Sequence, residues 1–421
     1  MVEEYRKSVL PDGIRVITEQ MPHVRSAAVG IWVDTGSRNE PEGRGGISHL
    51  IEHLVFKGTN SRTAEEIART MDSVGGQMDA FTAKEHTCFY VSVLDEHLPL
   101  AVDLLSDILL HPLFGADDIE REKSVVLQEI KMVEDTPDDL IHDLFAARIW
   151  SGHPLGRPIL GSREVVQSFS RETILVHFSE EYCPEKITIA VAGNVEHGQV
   201  VELLAERFNG FLSQPVPRDW APPILTPGLD MIHKPLEQVH LVVGFPGLHH
   251  GAAERYALYL LNDIMGGSMS SRLFQEVRER QGLVYTIYSG TQAYRDTGVL
   301  YISAATDAQN FSKVLKSVLK EIRTLKKDGI SADELRRAKE HLKGNLMLSL
   351  ESTSSRMNRL AKQELSFGAF FSLDEMLAAI DRVPEEEVQS LIHRLLDEDQ
   401  LALLTLGPLD RRNLPRELLK Q

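Results

Sequence analysis

The chain has 421 residues, of which 42% are hydrophobic and 25% are charged, and its formal net charge at pH 7 is -17. A chain of this length can fold into two or three domains, and no apolar run reaches the roughly 20 residues that a membrane-spanning helix needs. The 62 acidic residues outnumber the 45 basic residues, which argues against nucleic acid or an anionic membrane as a partner and favours basic ligands. The alternative explanation is that the negative charge serves solubility.

The N-terminal residues and the cysteines indicate the compartment. The stretch MVEEYRKSVLPDG has neither the apolar core of a secretory signal nor the arginine content of a transit peptide. The two cysteines, Cys88 and Cys183, lack the CxxC spacing of zinc and redox sites. We therefore predict a cytoplasmic, bacterial-like protein whose cysteines are reduced and structural.

Residues 13 to 134 contain a mixture of strand and helix patterns. Strands are predicted where apolar residues alternate or cluster, and helices where they recur every three or four positions. In chain order the prediction is strand 13–19, strand 26–36, helix 47–56, helix 63–76, strand 88–94, helix 98–110 and helix 117–134.

A proline-rich stretch divides the chain. Five prolines between positions 215 and 227 favour an extended linker, so the prediction is a first domain at 1–214, a linker at 215–235 and a second domain at 236–421. The order of elements then repeats, with Tyr90 matching Tyr301 at an offset of 211 residues. This repeat predicts an α+β fold of two duplicated α/β domains, each with a mixed sheet packed against helices.

Two histidines, His49 and His53, lie four residues apart on the first predicted helix, with Glu52 directly before the second. Residues four apart share one face of a helix, so both imidazoles can bind one metal ion, and neutral nitrogen ligands suit zinc. The alternative is that both histidines are merely hydrogen-bonded within the core. The second domain has lost the histidines, and its matching positions hold Leu260, Asp263 and Ile264.

A catalytic zinc ion usually has three protein ligands, so a third ligand must come from elsewhere. Glu122 and Glu129 are seven residues apart on the helix predicted at 117–134 and share a face with Val126 and Val133. A carboxylate among valines is unfavourable unless it is paired or bound to metal. The alternative is an ordinary salt-bridged helix surface.

These residues resemble a known family, the M16 or inverzincin metallopeptidases, which include mitochondrial processing peptidase, pitrilysin and insulin-degrading enzyme. The resemblance rests on the block GISHLIEHLVFKGT and on Glu129, which stands 76 residues after His53. The blocks HPLGRPILG and YCPEKITIAVAGN also look like family blocks. The chain is most similar to the half-length subfamily that contains the processing peptidases.

The resemblance implies a role for each residue of the motif. His49, His53 and Glu129 would bind one zinc ion per chain, and Glu52 would act as general base on the zinc-bound water. Glu122 would be a supporting catalytic residue that orients a ligand.

The resemblance also implies residues that bind a peptide substrate. Asp79, Ala80 and Phe81 lie on what looks like the family's edge strand, to which a peptide adds as a further strand, although relatives often have asparagine at the first of these positions. Asp139 and Asp143 stand where processing peptidases have acidic residues that receive an arginine near the cut. Without the resemblance, residues 79 to 81 would be part of an ordinary hairpin strand, and the two aspartates would stabilise a helix N-terminus.

Arg278 and Tyr285 match a pair with which the family's metal-free half reaches the substrate at the zinc. Without the resemblance, the arginine would be an ordinary surface residue and the tyrosine an ordinary core residue. Long relatives enclose the substrate between two similar halves, so this chain resembles half of a clamshell chamber that a second copy would complete as a homodimer with shared active sites. The expected function is zinc-dependent endopeptidase action on peptides or unfolded segments. The alternatives are a non-catalytic scaffold or partner subunit and a zinc hydrolase acting on non-peptide substrates.

Overall fold

A computed structural model describes residues 4–211, 216 and 221–409. The strands are β1 (Glu4–Val9), β2 (Arg15–Gln20), β3 (Ser26–Val33), β4 (Gln77–Thr82), β5 (Thr87–Leu94), β6 (Ile187–Gly193), β7 (Gly228–His233), β8 (Val239–Pro246), β9 (Thr286–Ala293), β10 (Gly298–Thr306) and β11 (Ala402–Gly407). The helices are α1 (Ile47–Leu54), α2 (Ala64–Ser73), α3 (Leu98–Leu110), α4 (Ala116–Asp135), α5 (Pro137–Ile149), α6 (Arg163–Ser168), α7 (Arg171–Glu181), α8 (His197–Phe208), α9 (Arg255–Asn262), α10 (Phe311–Asp328), α11 (Ala332–Ser349), α12 (Thr353–Phe367), α13 (Leu373–Arg382) and α14 (Glu385–Leu395). Of the helices in this part of the chain, none combines the length and apolar character that crossing a membrane requires.

The two sheets have the same topology from β2 onward. The first has the order β1-β2-β6-β3-β5-β4, in which β2 and β6 are parallel and all other neighbours are antiparallel. The second has the order β7-β11-β8-β10-β9, in which only the described pair β7 and β11 is parallel. Tyr90 on β5 and Tyr301 on β10 occupy corresponding places, so the predicted mixed α/β duplication is confirmed.

The middle strands of the first sheet are buried on both faces, and β3 shows why. Val29 and Ile31 project into one apolar cluster together with residues of α1 and α3. Ala28 and Trp32 project from the opposite face and pack with Met357 of α12. Successive side chains of a strand point to opposite faces, so a strand this apolar can lie only between two covering layers.

The chain forms two compact units that exchange segments. Residues 133–156, which include α5, belong with the second sheet, and residues 348–372, which include α12, belong with the first. α5 packs on β8 and β11, and α12 packs on β2, β3 and β6. This exchange departs from the division predicted at 214 and 236, because apolar faces far apart in the sequence find their partners in the folded chain.

The predicted linker at 215–235 also differs from the structure, although residues 215 and 217–220 lie outside the described residues. Gly228–His233 forms β7 and pairs in parallel with β11. No proline stands between positions 228 and 234, so every residue of this strand keeps a backbone N–H group that can donate to a sheet. Leu229 and Met231 of this strand pack against the second core.

Candidate metal centre and active site

The candidate metal centre begins on α1, which presents an apolar face to the core and a polar flank beside it. Ile47, Leu50, Ile51 and Leu54 are buried. The helix starts after Gly46, whose φ of 93° is left-handed and whose Cβ, if present, would lie 2.5 Å from the Leu160 carbonyl oxygen. Only glycine suits this conformation and this close approach.

Three predicted ligands lie together in the first unit. The His49 and His53 rings have centroids 4.7 Å apart, and their Nε2 atoms are 3.6 and 3.7 Å from Glu129 Oε2 on α4. Potential ligand atoms of the three residues all lie within 4.8 Å of one another. Within the described ranges, no other group of three such side chains has this arrangement.

The chemistry of this group fits a zinc ion. Glu129 Oε2 is buried and has no hydrogen-bond partner among the described residues, and its distances to the two imidazoles are too long for hydrogen bonds. A cation bound by these three residues would compensate that oxygen, and a set of three ligands is typical of catalytic zinc. Burial, followed by the neighbouring His53, lowers the pKa of His49 to about 4, which favours the neutral imidazole that binds metal.

Glu122 lies behind His53 and links it to a lysine. Glu122 Oε2 is 3.1 Å from His53 Nδ1, and Glu122 Oε1 is 2.8 Å from Lys57 Nζ. When Nδ1 donates to this carboxylate, Nε2 is left with its lone pair towards Glu129. Lys57 was not predicted, although its position one helical turn after His53 is a signal that could have identified it.

Glu52 lies beside the ligand group and is bonded to the end of β4. Thr82 Oγ1 donates to Glu52 Oε2 at 2.5 Å. Burial raises the pKa of Glu52 above its ordinary value, and the Thr82 hydroxyl acts in the opposite direction. The carboxylate can therefore accept a proton beside the three candidate ligands without being one of them. Thr82 was not predicted, because no local pattern links a strand residue to a preceding helix.

The predicted substrate strand, β4, is the last strand of its sheet in the part of the chain that the structure describes. Ala80 and Phe81 are half-buried, and Asp79 is exposed. Asp79 Oδ1 accepts the Ala80 backbone N–H at 2.8 Å, and Asp79 Oδ2 lies 3.5 Å from the Tyr90 hydroxyl. The aspartate at this position thus interacts with its own strand, and its contact with a peptide stays a prediction.

Asp139 and Asp143 lie on α5, in the second unit. Asp139 is exposed and Asp143 is half-buried. Between them, His142 Nε2 is 3.0 Å from the Tyr288 hydroxyl. Burial lowers the pKa of His142, and the carboxylates of Asp139, Asp138 and Asp143 oppose that shift. The two aspartates therefore add negative charge to a surface that also carries aromatic side chains.

Arg278 and Tyr285 also lie in the second unit, and the structure brings them together. The Arg278 guanidinium carbon is 5.5 Å from the Tyr285 ring centroid and 4.5 Å from that of Phe274. Arg278 belongs to a π-helical segment, Phe274–Arg280, a rare geometry that is frequent at functional sites. The Tyr285 side chain is 81% exposed, which leaves its hydroxyl accessible to a ligand.

We expect Glu129→Gln to weaken metal retention, because a neutral amide is a poorer ligand than a carboxylate. Removal of a residue that only hydrogen-bonds to a metal ligand lowers metal affinity roughly 10- to 100-fold. Replacement of a ligand itself should lower the affinity at least as much. Dialysis against a moderate chelator followed by metal analysis measures it. Glu120→Gln, an exposed change on the same helix, is the control. Full zinc retention by Glu129→Gln would make Glu122 or Glu134 the better ligand candidate.

Family models match most of the chain. Residues 15–163 match the model described as insulinase (peptidase family M16), and residues 168–342 match the model described as peptidase M16 inactive domain. A Bacillus subtilis protein named as an uncharacterized zinc protease is 42% identical over 397 residues, which cover 94% of this chain and 97% of that protein. A Mycobacterium leprae protein, also named as an uncharacterized zinc protease, is 41% identical over 420 residues, which cover 98% and 94%.

Solved structures share the fold. A protease from Helicobacter pylori has a TM-score of 0.90 and 21% sequence identity, and the match covers 97% of this chain and 100% of that one. A peptidase M16 inactive domain from Pseudomonas fluorescens has a TM-score of 0.90 and 19% identity, with 97% and 98% covered. At these identities the likeness concerns the fold alone.

Proposed function

This chain belongs to peptidase family M16, and from that premise we propose that it is a zinc-dependent endopeptidase that hydrolyses peptides or unfolded polypeptide segments. The observation that carries the proposal is the group of His49, His53 and Glu129 with Glu52 at its side. This set combines three metal ligands with a separate proton acceptor, which is what metal-assisted hydrolysis requires.

The proposed mechanism assigns a task to each side chain. His49, His53 and Glu129 would hold a zinc ion, which when bound supplies the Lewis acidity that makes water more acidic and a carbonyl carbon more electrophilic. Glu52 takes a proton from the attacking water and delivers it to the nitrogen of the leaving amine as the peptide bond breaks. Glu122 keeps the His53 ring oriented, and Lys57 balances the charge of Glu122.

The peptide would bind along β4. Backbone groups on a free strand edge recognise a main chain regardless of its sequence, which suits varied peptides or unfolded segments. The bond from Thr82 to Glu52 supports this binding mode, because it joins the end of the strand directly to the proton acceptor. A peptide paired with β4 would therefore pass close to the residue that performs the chemistry.

Non-catalytic scaffolding is the alternative function. The family model described as an inactive domain matches residues 168–342, a range that includes none of His49, His53 and Glu129. Mass spectrometry of a digested peptide library separates the two functions, with Glu52→Gln as the control variant. Cleavage that is lost in Glu52→Gln, that a chelator stops and that zinc restores would support the peptidase. An intact library after incubation with the zinc-loaded protein would favour the scaffold.

We further propose that the chamber is completed by a second copy and that Arg278 and Tyr285 serve the partner's site. The Tyr285 ring is exposed, and the Arg278 guanidinium lies beside it. This exposure supports the proposal, because it leaves both side chains available to a substrate bound at the partner's site. The resemblance to long relatives, whose metal-free half supplies such a pair, supports the same arrangement.

The aspartates on α5 lead to a specificity prediction. We expect peptides with an arginine one or two residues before the cut to be cleaved about 10- to 100-fold faster than matched glutamine peptides, because a hydrogen bond to a charged group contributes about 1.5–3 kcal/mol. Replacing both Asp139 and Asp143 by asparagine should erase the preference. Competition between matched arginine, lysine and glutamine peptides measures it.

Asp138→Asn provides the control for this prediction. It removes one negative charge from the same helix, where the test variant removes two, but Asp138 is directed to His240, with 2.9 Å between Oδ1 and Nδ1. The arginine preference should survive in this variant. Equal turnover of the three peptides by the unaltered protein would mean that Asp139 and Asp143 only stabilise the helix N-terminus.

A further inference from the structure

The segment Gly36–Glu40, between β3 and α1, makes contacts at both of its ends. At its C-terminal end Glu40 is fully buried, with 0% of its surface exposed. Glu40 Oε2 accepts the Gly46 N–H at 2.8 Å, and Oε1 accepts the Ser48 N–H at 2.9 Å. The first N–H groups of a helix have no partner within the helix. Glu40 therefore supplies the cap that Gly46, which has no side chain, cannot provide.

Burial of this carboxylate is unfavourable unless its hydrogen bonds replace water. Burial raises the pKa of Glu40 to about 7, while the N–H groups of Ser48 and Gly46 and the nearby Arg157 act to lower it. Because the side chain has lost its hydration, its two N–H bonds hold it firmly in one place. The same bonds hold the first turn of α1, and Ser48 directly precedes the predicted ligand His49.

The other end of the segment contacts the turn between β4 and β5. The Arg38 N–H donates to the Lys84 carbonyl oxygen at 2.8 Å, and the Arg38 guanidinium is 2.6 Å from Glu85 Oε1. A Cβ on Gly36 would lie 2.3 Å from the Ala83 carbonyl oxygen. There is no space for a side chain at this point, so the segment and the turn are in direct backbone contact.

We propose that Glu40 is a positioning residue of the metal site, which through the segment Gly36–Glu40 keeps the ligand helix α1 at a set distance from the strand β4. The spacing matters because the reacting carbonyl of a peptide paired with β4 must meet the proton acceptor and the ligands on α1. The part of this inference that concerns β4 rests on the proposed function. The part that concerns the ligands does not.

Cobalt binding tests the ligand part without any substrate. Co²⁺ is loaded into the metal-free protein, and its visible absorption bands, which respond to ligand geometry, are recorded during titration. Glu40→Gln keeps the size of the side chain but replaces one acceptor oxygen by a donor group. We expect its cobalt Kd to rise about 10- to 100-fold and its bands to shift.

Glu19→Gln is the matched control. Glu19 is 1% exposed and lies in the same unit, where its carboxylate is bonded to Arg356 and to Arg359. The substitution removes an equally buried charge and should lower the melting temperature, while cobalt affinity and spectrum stay at wild-type values. A wild-type spectrum and affinity in Glu40→Gln, or an equal change in Glu19→Gln, would overturn the proposal.

Peptide kinetics test the part that concerns β4. Glu40→Gln should lower kcat about 10- to 100-fold with KM changed less than about threefold, since α1 shifts and β4 does not. Gly36→Ala, at the other end of the segment, should raise KM and leave the cobalt spectrum unchanged. The same pattern of kcat and KM in both variants would contradict a spacing role.

Two further outcomes are also decisive. If Glu40→Gln does not fold, Glu40→Asp keeps the charge on a side chain shorter by one methylene, and a wild-type cobalt Kd in that variant would overturn the proposal. A wild-type protein that binds cobalt but cleaves no peptide would contradict the proposed function, and the cobalt comparison would still decide the role of Glu40.

Discussion

Glu52→Gln is expected to lower kcat for peptide cleavage about 10²- to 10⁴-fold while metal content stays at one ion per chain. Glutamine has the size of glutamate and can still accept the Thr82 hydroxyl, but its amide cannot take a proton from water. Because Glu52 is not one of the three grouped ligands, metal binding should be unaffected. Liquid chromatography with mass spectrometry measures the rate, and elemental analysis measures the metal.

Glu65→Gln is the control for this variant. Glu65 is an exposed residue of the same unit that pairs with Arg69 on the surface, so its substitution should change neither rate nor metal content. Loss of metal from Glu52→Gln would show that Glu52 is a ligand and that the roles are misassigned. Undiminished cleavage with metal retained would remove Glu52 from the mechanism.

Mixing two impaired variants is expected to restore activity. Glu52→Gln lacks the proton acceptor, and Tyr285→Phe lacks the exposed hydroxyl but keeps the ring beside Arg278. If each site uses Tyr285 from the other copy, a mixed dimer has both lesions at one site and none at the other. Activity per mixed dimer should then reach about half of the wild-type value if the sites act independently.

The measurement requires proof that the subunits have exchanged. Differently tagged variants are mixed, the doubly tagged species is purified, and its turnover is compared with that of each parent. A doubly tagged species no more active than its parents would refute site sharing. Full activity of the unaltered protein as a strict monomer would refute it as well.

The sequence alone determined the local part of the metal centre. Helical periodicity places His49 and His53 on one face, and it also places Glu122 and Glu129 on one face of a second helix. These relations need only the pitch of a helix, so they can be read from spacing. The pairing of the two helices did not follow from periodicity, and resemblance to a family supplied it.

Duplication was also readable from the sequence, because each half repeats the same order of strands and helices. The exchange of α5 and α12 between the two units was not. Neither helix carries a local signal that distinguishes its own sheet from the other one. The choice depends on which apolar face has a complementary surface, such as the one that Trp32 and Met357 form together.

Only the tertiary structure decided which residues surround the candidate metal ligands. Lys57 reaches Glu122 across two helices, Thr82 reaches Glu52 from a strand, and Glu40 caps α1 from a preceding segment. Each of these contacts joins residues whose separation in the chain has no fixed period. Local spacing therefore predicted the histidine pair, and resemblance to a family supplied Glu129 as the third candidate ligand. The groups that orient these residues were set by long-range packing and by the need to satisfy buried polar atoms.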